Sequence, residues 1–413
     1  MTHCLTNGIL PDEQFGFMKG RSAEWQLLYL LQHWHEALDK KRCVHAVFLD
    51  AAKAFDRVDH SMLLSKLCGI GLDGPALSWL RSYLSDRRIM SRVDDAVSDP
   101  LHITSGVPQG SVLGPLLFII YFKDIPSVTQ ACSALFADDT LLFHDDCQGA
   151  NGCCSLSNDL SDISTWAAQS NVSFNATKSA ELCLGRTASS DALSLDGHCV
   201  NRVSSKLHLG VTLAANLSWN DHVNRVLQNI SGPLALCKNL GYRHRLPSKP
   251  LRVFYLAYIR PRLEYCSAVW SGCSRRLQLR LEKVQIQAAR AITRVYNLPN
   301  HQLLHLANLP TLAWRRRRHR LQLLWRLVHG LGPPQLQELL PSAAADRCHR
   351  ALRSSHGLEF PSSNSTRFLS SFLAVTIPEW NSLPPSCVNS SSPNSFLSSL
   401  DRLFAHDKFS FGL

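Results

Sequence analysis

Apolar residues recur every three or four positions from Ala23 to Lys40, with Leu27, Leu30, Leu31 and Trp34 on one face, which predicts a helix. The period changes at CVHAVFLD, 43–50, a β-branched and aromatic run closed by an acid, as in a buried strand. Helical spacing returns at Ser61 to Leu64 and from Pro75 to Leu84, and weak alternation from Arg88 to Ile103 predicts hairpin material. GVPQGSVLGPLLFIIYFKDI, 106–125, reads as a glycine-bearing loop handing over to an apolar helix near Ser111, a residue suited to cap it. From Ser133 to Phe143 the sequence reads strand, turn, strand: SALF, ADD, TLLF. Asp159 to Gln169 is a predicted helix carrying Trp166, and LHLGVTL, 207–213, a second hairpin.

From Asp221 to Gly330 the pattern is almost wholly helical, and Leu277, Leu281, Val284, Ala288, Ile292 and Val295 form one apolar stripe. Residues 1–24 carry turn signals at Pro11-Asp12, Gly16 and Gly20-Arg21-Ser22 and predict a loop. Beyond Pro333 the chain turns rich in Ser, Pro and Asn, notably NSLPPSCVNSSSPNS at 381–395. This predicts a loosely ordered tail with one short element around Trp380. No internal repeat is present. Helices and strands in this order predict an α+β chain.

At 413 residues, 45% hydrophobic and 18% charged, the composition is globular and fits two or three domains. The longest apolar run, Leu116 to Phe122, is far short of the roughly 20 residues that span a bilayer. MTHCLTNGILPDEQ lacks the charged-then-apolar layout of a secretory signal, so membrane and secreted classes are disfavoured. The 14 cysteines include no C-x-x-C pair, and the Cys153-Cys154 doublet is too tight for a zinc knuckle, so they read as reduced thiols. Histidines are frequent, but none sits in an H-E-x-x-H cluster. Charge is uneven. Arg225 to Gly330 hold 20 Lys and Arg against two acids, Glu264 and Glu282, whereas the other 307 residues hold 23 basic and 30 acidic side chains. All the excess positive charge thus lies in one helical segment, as in an element that grips nucleic acid. Within it, Arg315 to Arg318 read equally as a nuclear-import patch or a duplex contact.

Asp50 closes a buried strand, and Asp138-Asp139 occupy the turn between two apolar strands. Carboxylates beside such runs are costly unless something positive compensates them. A pair of Mg²⁺ ions suits three such acids, because hard cations take carboxylate oxygens and leave positions for water and phosphate. Asp-Asp turns are also common as solvated hairpin tips, and Asp56 and Asp59 read as caps of the following helix.

With QFGFMKGRS (14–22), FLDAAKAFDRVDH (48–60), SGVPQGSVLGPLLF (105–118) and LFADDTLLF (135–143) in this order, the sequence resembles the reverse transcriptases of non-long-terminal-repeat, LINE-type retrotransposons, in particular the jockey-related branch. Asn175-x-x-Lys178, LHLGV, IRPRLEYCSAVW (259–270) and LEKVQIQAAR (281–290) extend the resemblance over nearly the whole chain. It implies a right-hand polymerase. The expected parts are partial fingers over 1–40, a palm of antiparallel sheet plus helices with a finger insert over 41–204, and a primer-grip hairpin with a basic helical thumb over 205–330. The Ser/Pro-rich tail over 331–413 completes the chain. The reaction implied is RNA-directed DNA synthesis, in which a primer 3′-hydroxyl attacks the α-phosphate of a dNTP and pyrophosphate leaves.

By the same resemblance Asp50, Asp138 and Asp139 hold two Mg²⁺ ions, or Mn²⁺ as a substitute, with the carbonyl of Ala51 as a further ligand. Phe55 is the aromatic gate that excludes a ribose 2′-hydroxyl. Gln109 and Gly110 approach the incoming nucleotide, and Lys178 neutralises or protonates the leaving pyrophosphate. Leu209 and Gly210 lie in the primer grip, and Arg275, Arg276, Arg280 and Lys283 on the thumb contact phosphates. Phe136 stands where the family more often has Tyr. The implied partners are an RNA template, a DNA primer and dNTPs, with no membrane, an open oligomeric state, and nuclear work after cytoplasmic synthesis. Only 13 residues precede Gln14, and the tail offers neither a cysteine–histidine knuckle nor an RNase H acid set. The expectation is therefore an N-terminally truncated copy without an endonuclease domain or upstream finger strands. The alternative is an inactive remnant that only binds nucleic acid.

Overall fold

The computed structural model describes residues 4, 7–146, 151–185, 192–342, 357–363 and 365–409. Parts of the predicted N-terminal loop (1–3, 5 and 6) and tail (343–356, 364 and 410–413), and the side chains of Cys153-Cys154, lie outside them. The chain divides into two units, residues 1–26 with 41–204, and residues 27–40 with 205–413. The predicted first helix spans Ala23–Asp39, so most of its length belongs with the second unit.

In the first unit the strands are β1 (Cys43–Asp50), β2 (Arg87–Ile89), β3 (Arg92–Val93), β4 (Ala96–Val97), β5 (Leu101–Ile103), β6 (Cys132–Phe136), β7 (Asp139–Asp146), β8 (Ala180–Leu184), β9 (Ser194–Leu195), β10 (His198–Cys199) and β11 (Asn201–Val203). Five of them form one sheet in the order β11-β8-β1-β7-β6, antiparallel except for the β11–β8 pair. β1 is central and buried along its length until Asp50, which explains its unbroken apolar reading. Val47 and Leu49 of β1 and Leu142 of β7 join a core with Leu117, Phe118 and Tyr121 of the helix Gly114–Tyr121 and Leu156, Leu160 and Ile163 of the helix Asn151–Gln169. That last helix starts eight residues before the predicted Asp159, because its first turns lack the apolar period. The apolar helix begins at Gly114 rather than Ser111. Ser111 Oγ still accepts the Gly114 N–H at 2.9 Å, while its own hydroxyl donates to the Pro108 carbonyl at 2.7 Å. The expected hairpin over 88–103 is built from β2 paired with β5 and β3 paired with β4, and it leaves Val93, Val97 and Leu101 exposed.

In the second unit a hairpin of β12 (Ser205–His208) and β13 (Val211–Ala214) is followed by helices at Asn220–Tyr242, Ser248–Phe254, Arg260–Glu264, Arg275–Thr293, Asn300–Leu306 and Leu312–Val328. Leu277, Leu281, Val284, Ala288 and Ile292 are buried as their spacing predicts. Val295 is not part of that stripe, because the helix stops at Thr293 with Arg294 left-handed at φ 58°. The tail differs from expectation. Phe372–Asn381, Pro385–Val388 and Pro393–Leu403 are helices that bury Phe372, Trp380, Phe396 and Leu400. Its serines start helices: Ser371 Oγ accepts the Ala374 N–H, and Ser392 forms a capping box with Ser395 ahead of Pro393 at the first helical position.

The run Arg315 to Arg318, with Arg320, is engaged inside this unit. Arg315 pairs with Glu264, Arg317 approaches Glu379 and Asp407 at 3.7 and 3.8 Å, Arg318 pairs with Asp401 at 2.7 Å and Arg320 with Glu379 at 2.9 Å. Arg316 is buried, with its guanidinium 5.6 Å from the Trp270 ring centre. Arg315 to Arg318, read from the sequence as an import patch or a duplex contact, are thus engaged with acids and a ring of their own unit. No described helix is long and apolar enough to cross a membrane.

Candidate active site

Phe136 faces Asp139 across the β6–β7 pair, so Ala137 and Asp138 alone make the turn. Ala137 takes φ 59°, a left-handed conformation that costs an alanine about 1–2 kcal/mol. The turn is clamped from outside the hairpin. Gln14 sits beside Leu135 in a parallel bridge, with Phe15 N–H donating to the Leu135 carbonyl at 2.8 Å and Leu135 N–H to the Glu13 carbonyl at 2.9 Å. Gln14 Oε1 then accepts both Gly16 N–H (2.8 Å) and Ala137 N–H (3.0 Å). Gly16 comes so close that a Cβ there would stand 2.4 Å from the Ala137 nitrogen. Sequence reasoning quoted Gln14 within a motif and gave it no role, since its partner lies 123 residues away.

Asp50 lies opposite Asp139 in the β1–β7 register, which brings the end of β1 to the base of this turn. Its backbone is fixed by the segment after the helix Asn151–Gln169: Asp50 N–H donates to Ser179 Oγ (3.2 Å), and its carbonyl accepts Asn175 N–H (2.8 Å). Ala51 bridges Phe174 while Ala52 N–H donates to the Ser173 carbonyl, so the pairing leaves the Ala51 carbonyl out of that ladder. Asn175 Oδ1 accepts from Thr177 N–H (3.0 Å), Thr177 Oγ1 (2.7 Å) and Lys178 N–H (3.3 Å). This Asx turn sets the loop of Lys178, whose Nζ stands 3.9 Å from Asp50 Oδ2. Asp138 is half-buried, and desolvation first, then the charge of Asp50, raise its carboxyl above the usual range. Asp139 is exposed.

The short 3₁₀ turn Ala54–Asp56 follows Lys53 at φ 50° and delivers Phe55. The Phe55 ring stacks on Phe118 with centroids 3.9 Å apart and meets the edge of Phe17 at 6.2 Å, so both core and surface fix it. Gln109 Nε2 donates to Asp56 Oδ1 at 2.9 Å, and Gly110 takes φ 82° on the exposed loop. Asp56 therefore holds Gln109, and Asp59 caps the helix His60–Gly69 by accepting Met62 N–H at 2.8 Å. The fold thus gathers Asp50, Ala51, Asp138, Asp139 and Lys178 at the β1, β6 and β7 ends, and Phe55, Gln109 and Gly110 around the 3₁₀ turn.

Leu209, Gly210, Arg275, Arg276, Arg280 and Lys283 belong to the second unit and are described within it. Leu209 (φ 45°) and Gly210 (φ 78°) form the two-residue turn of the β12–β13 hairpin, both left-handed as a type I′ turn requires. Tyr265 hydroxyl donates to the Leu209 carbonyl at 3.0 Å, with its ring against Gly210. Arg275, Arg276, Arg280 and Lys283 are all exposed on the helix Arg275–Thr293, and Arg280 donates to Asn224 Oδ1 at 2.8 Å.

The family described as reverse transcriptase (RNA-dependent DNA polymerase) matches residues 1–239, and the chain belongs to that family. It is 32% identical over 300 residues to a probable RNA-directed DNA polymerase from transposon BS of Drosophila melanogaster, covering 69% of this chain and 33% of that protein. The RNA-directed DNA polymerase from mobile element jockey of the same fly is 30% identical over 301 residues, 70% of this chain and 32% of that protein. The chain spans about a third of the length of these curated relatives. A solved telomerase from Candida albicans, in complex with a fragment of telomeric RNA, has a TM-score of 0.33 at 14% identity. That alignment covers 67% of this chain and 45% of the other, a likeness too distant to bear on the reading.

Whether divalent ions fit can be tested on the acids themselves. Asp138 is pushed up by burial and by Asp50, and the Lys178 ammonium stands 3.9 Å from the Asp50 carboxylate, beyond hydrogen-bond reach. Carboxylates gathered at one turn, and offering only oxygen donors, fit a hard divalent cation.

Proposed function

We propose that this chain is an RNA-directed DNA polymerase of the LINE-type, jockey-related class, extending a DNA primer on an RNA template with dNTPs. The observation that carries the reading is the convergence of Asp50, Asp138 and Asp139 at the strained, clamped β6–β7 turn of a reverse transcriptase family member. Asp50, Asp138, Asp139 and the Ala51 carbonyl would hold two Mg²⁺ ions, or Mn²⁺ in their place. Such ions, when bound, supply activation of an attacking hydroxyl and charge stabilisation at a leaving pyrophosphate.

The chain's own residues do the rest. Lys178, on its Asx turn beside Asp50, places a positive charge and a proton donor where negative charge develops on the leaving group. Phe55, pinned between Phe118 and Phe17, presents a rigid apolar wall that clashes with a 2′-hydroxyl and gives it no partner. Gln109, held by Asp56, and Gly110 form the loop over which the nucleotide and template pass. The Leu209–Gly210 turn grips the primer, and Arg275, Arg276, Arg280 and Lys283 bind duplex phosphates without reading sequence. In this reading residues 1–40 are partial fingers, 41–204 the palm and 205–330 the thumb, and the work is nuclear.

The test is templated synthesis. With a DNA primer annealed to a heteropolymeric RNA and four dNTPs, the chain should yield complementary DNA of the template's sequence, and ribonucleotides should not replace the dNTPs. A chain that holds the primer–template and adds nothing is a nucleic-acid-binding remnant instead.

A further inference from the structure

His45 stands five residues before Asp50 on β1, about 17 Å away along the strand, in a cluster the polymerase reading leaves unused. It faces Cys183 across the β1–β8 register, and Val47 faces Glu181, so His45, Glu181 and Cys183 project from one face of the sheet. His45 Nδ1 lies 2.9 Å from Glu181 Oε1, and Cys183 Sγ lies 3.8 Å from both ring nitrogens. One ligating atom from each of the three lies within 4.8 Å of the other two. His45 and Glu181 are 2% and 1% exposed, while Cys183 is half-buried and leaves a way in. Arg202, opposite Glu181 on β11, donates to Oε2 at 2.9 Å and to Oε1 at 3.2 Å.

We propose that His45, Glu181 and Cys183 bind one Zn²⁺ ion, with water as the fourth ligand, and that the ion ties β8 to β1. Imidazole, thiolate and carboxylate are the donors zinc takes. Bonds of about 2.0–2.3 Å at tetrahedral angles set donor atoms roughly 3.2–3.8 Å apart. The His45–Glu181 and His45–Cys183 separations of 2.9 and 3.8 Å lie near that range, and with all three donors within 4.8 Å of one another the side chains must draw together around the ion. The ion enters as the thiol proton and the proton on the ring nitrogen facing Glu181 leave to water. Two protons exchange for one divalent ion, so the buried cluster's charge is conserved. Arg202 stays on the carboxylate and orients it, the usual part of a group one bond removed from a metal. The site would steady the start of β8, which follows directly on Lys178 and Ser179.

The full chain, stripped with a chelator, is titrated with Co²⁺ as a spectroscopic probe and then with Zn²⁺. One equivalent should give a thiolate-to-cobalt charge-transfer band that Zn²⁺ abolishes, that Cys183→Ser loses, and that Asp138→Asn and Cys132→Ser keep. Arg202→Gln should weaken zinc binding by about 10–100-fold. In the native chain, needing no variant, Zn²⁺ should protect Cys183 from alkylation as read by peptide mass spectrometry. A native chain with no thiolate band, a band that survives Cys183→Ser, or a Cys183 alkylated equally with and without Zn²⁺ overturns the site. Because Asp138→Asn keeps the band, failure here is distinct from failure of the polymerase reading.

Discussion

Ala137 holds a left-handed backbone because Gln14 and Gly16 leave it no other. Gln14→Leu would strip the acceptor from two buried N–H groups, at about 1–3 kcal/mol each, and free the turn that carries Asp138. The expected outcome is a fall in nucleotide incorporation larger than any fall in primer–template affinity, read from parallel extension and binding assays. Equal losses in both would make Gln14 a general fold residue. At Phe55 the prediction concerns choice rather than rate. Phe55→Val removes the wall stacked on Phe118, and steady-state kinetics should show discrimination against ribonucleotides falling by at least about tenfold. Asp50, Asp138, Asp139 and Phe55 were legible because their motifs are local in sequence. Gln14 was not, because its meaning depends on a bridge to Leu135 that no periodicity records.

Elements show the same division. β1, the β6–β7 hairpin and the β12–β13 hairpin were read with near-correct bounds, since short apolar runs flanked by turn residues admit few alternatives. The tail was misread because Ser, Pro and Asn were weighed as composition. Their positions are those of helix starts, with Ser371 and Ser392 capping and Pro393 at a first helical position. The Leu209–Gly210 turn carries an element-scale prediction. Gly210→Val forces a β-branched residue to φ 78° with the Tyr265 ring 2.9 Å from its Cβ. Thermal unfolding should drop by several degrees, and primer–template binding should weaken if the turn is a grip. An unchanged affinity would leave the hairpin a purely structural part.

Over the whole molecule, the surplus of positive charge was legible from the sequence, but its destination was not. Arg315, Arg317, Arg318 and Arg320 meet acids of their own unit, whereas Arg275, Arg276, Arg280 and Lys283 are exposed along one helix. If that helix binds phosphates, replacing Arg276, Arg280 and Lys283 should reduce the slope of log affinity against log salt by about one for each contact removed. Glu282 gives the unit a pH signature. Burial pushes its carboxyl up to about 7 despite Arg316 nearby and hydrogen bonds from Gln285 and Leu312. The folded state therefore holds this proton more tightly than the unfolded one. The Glu282 contribution to stability is fully present below about pH 4.5, falls as pH rises to about 7, and is flat above, a span of about 3 kcal/mol. Glu282→Gln should flatten that part of the unfolding-midpoint profile.

The central claim is that the clamped carboxylate turn does chemistry rather than merely sitting beside bound nucleic acid. The direct measurement is dTTP incorporation on poly(rA)·oligo(dT) with Mg²⁺, for the native chain and for Asp138→Asn, with duplex binding measured alongside at low and moderate salt. The account predicts extension by the native chain, a loss of about 10³-fold or more in the variant, and the same salt-sensitive binding in both. Binding by both with extension by neither, or equal extension by both, would contradict it.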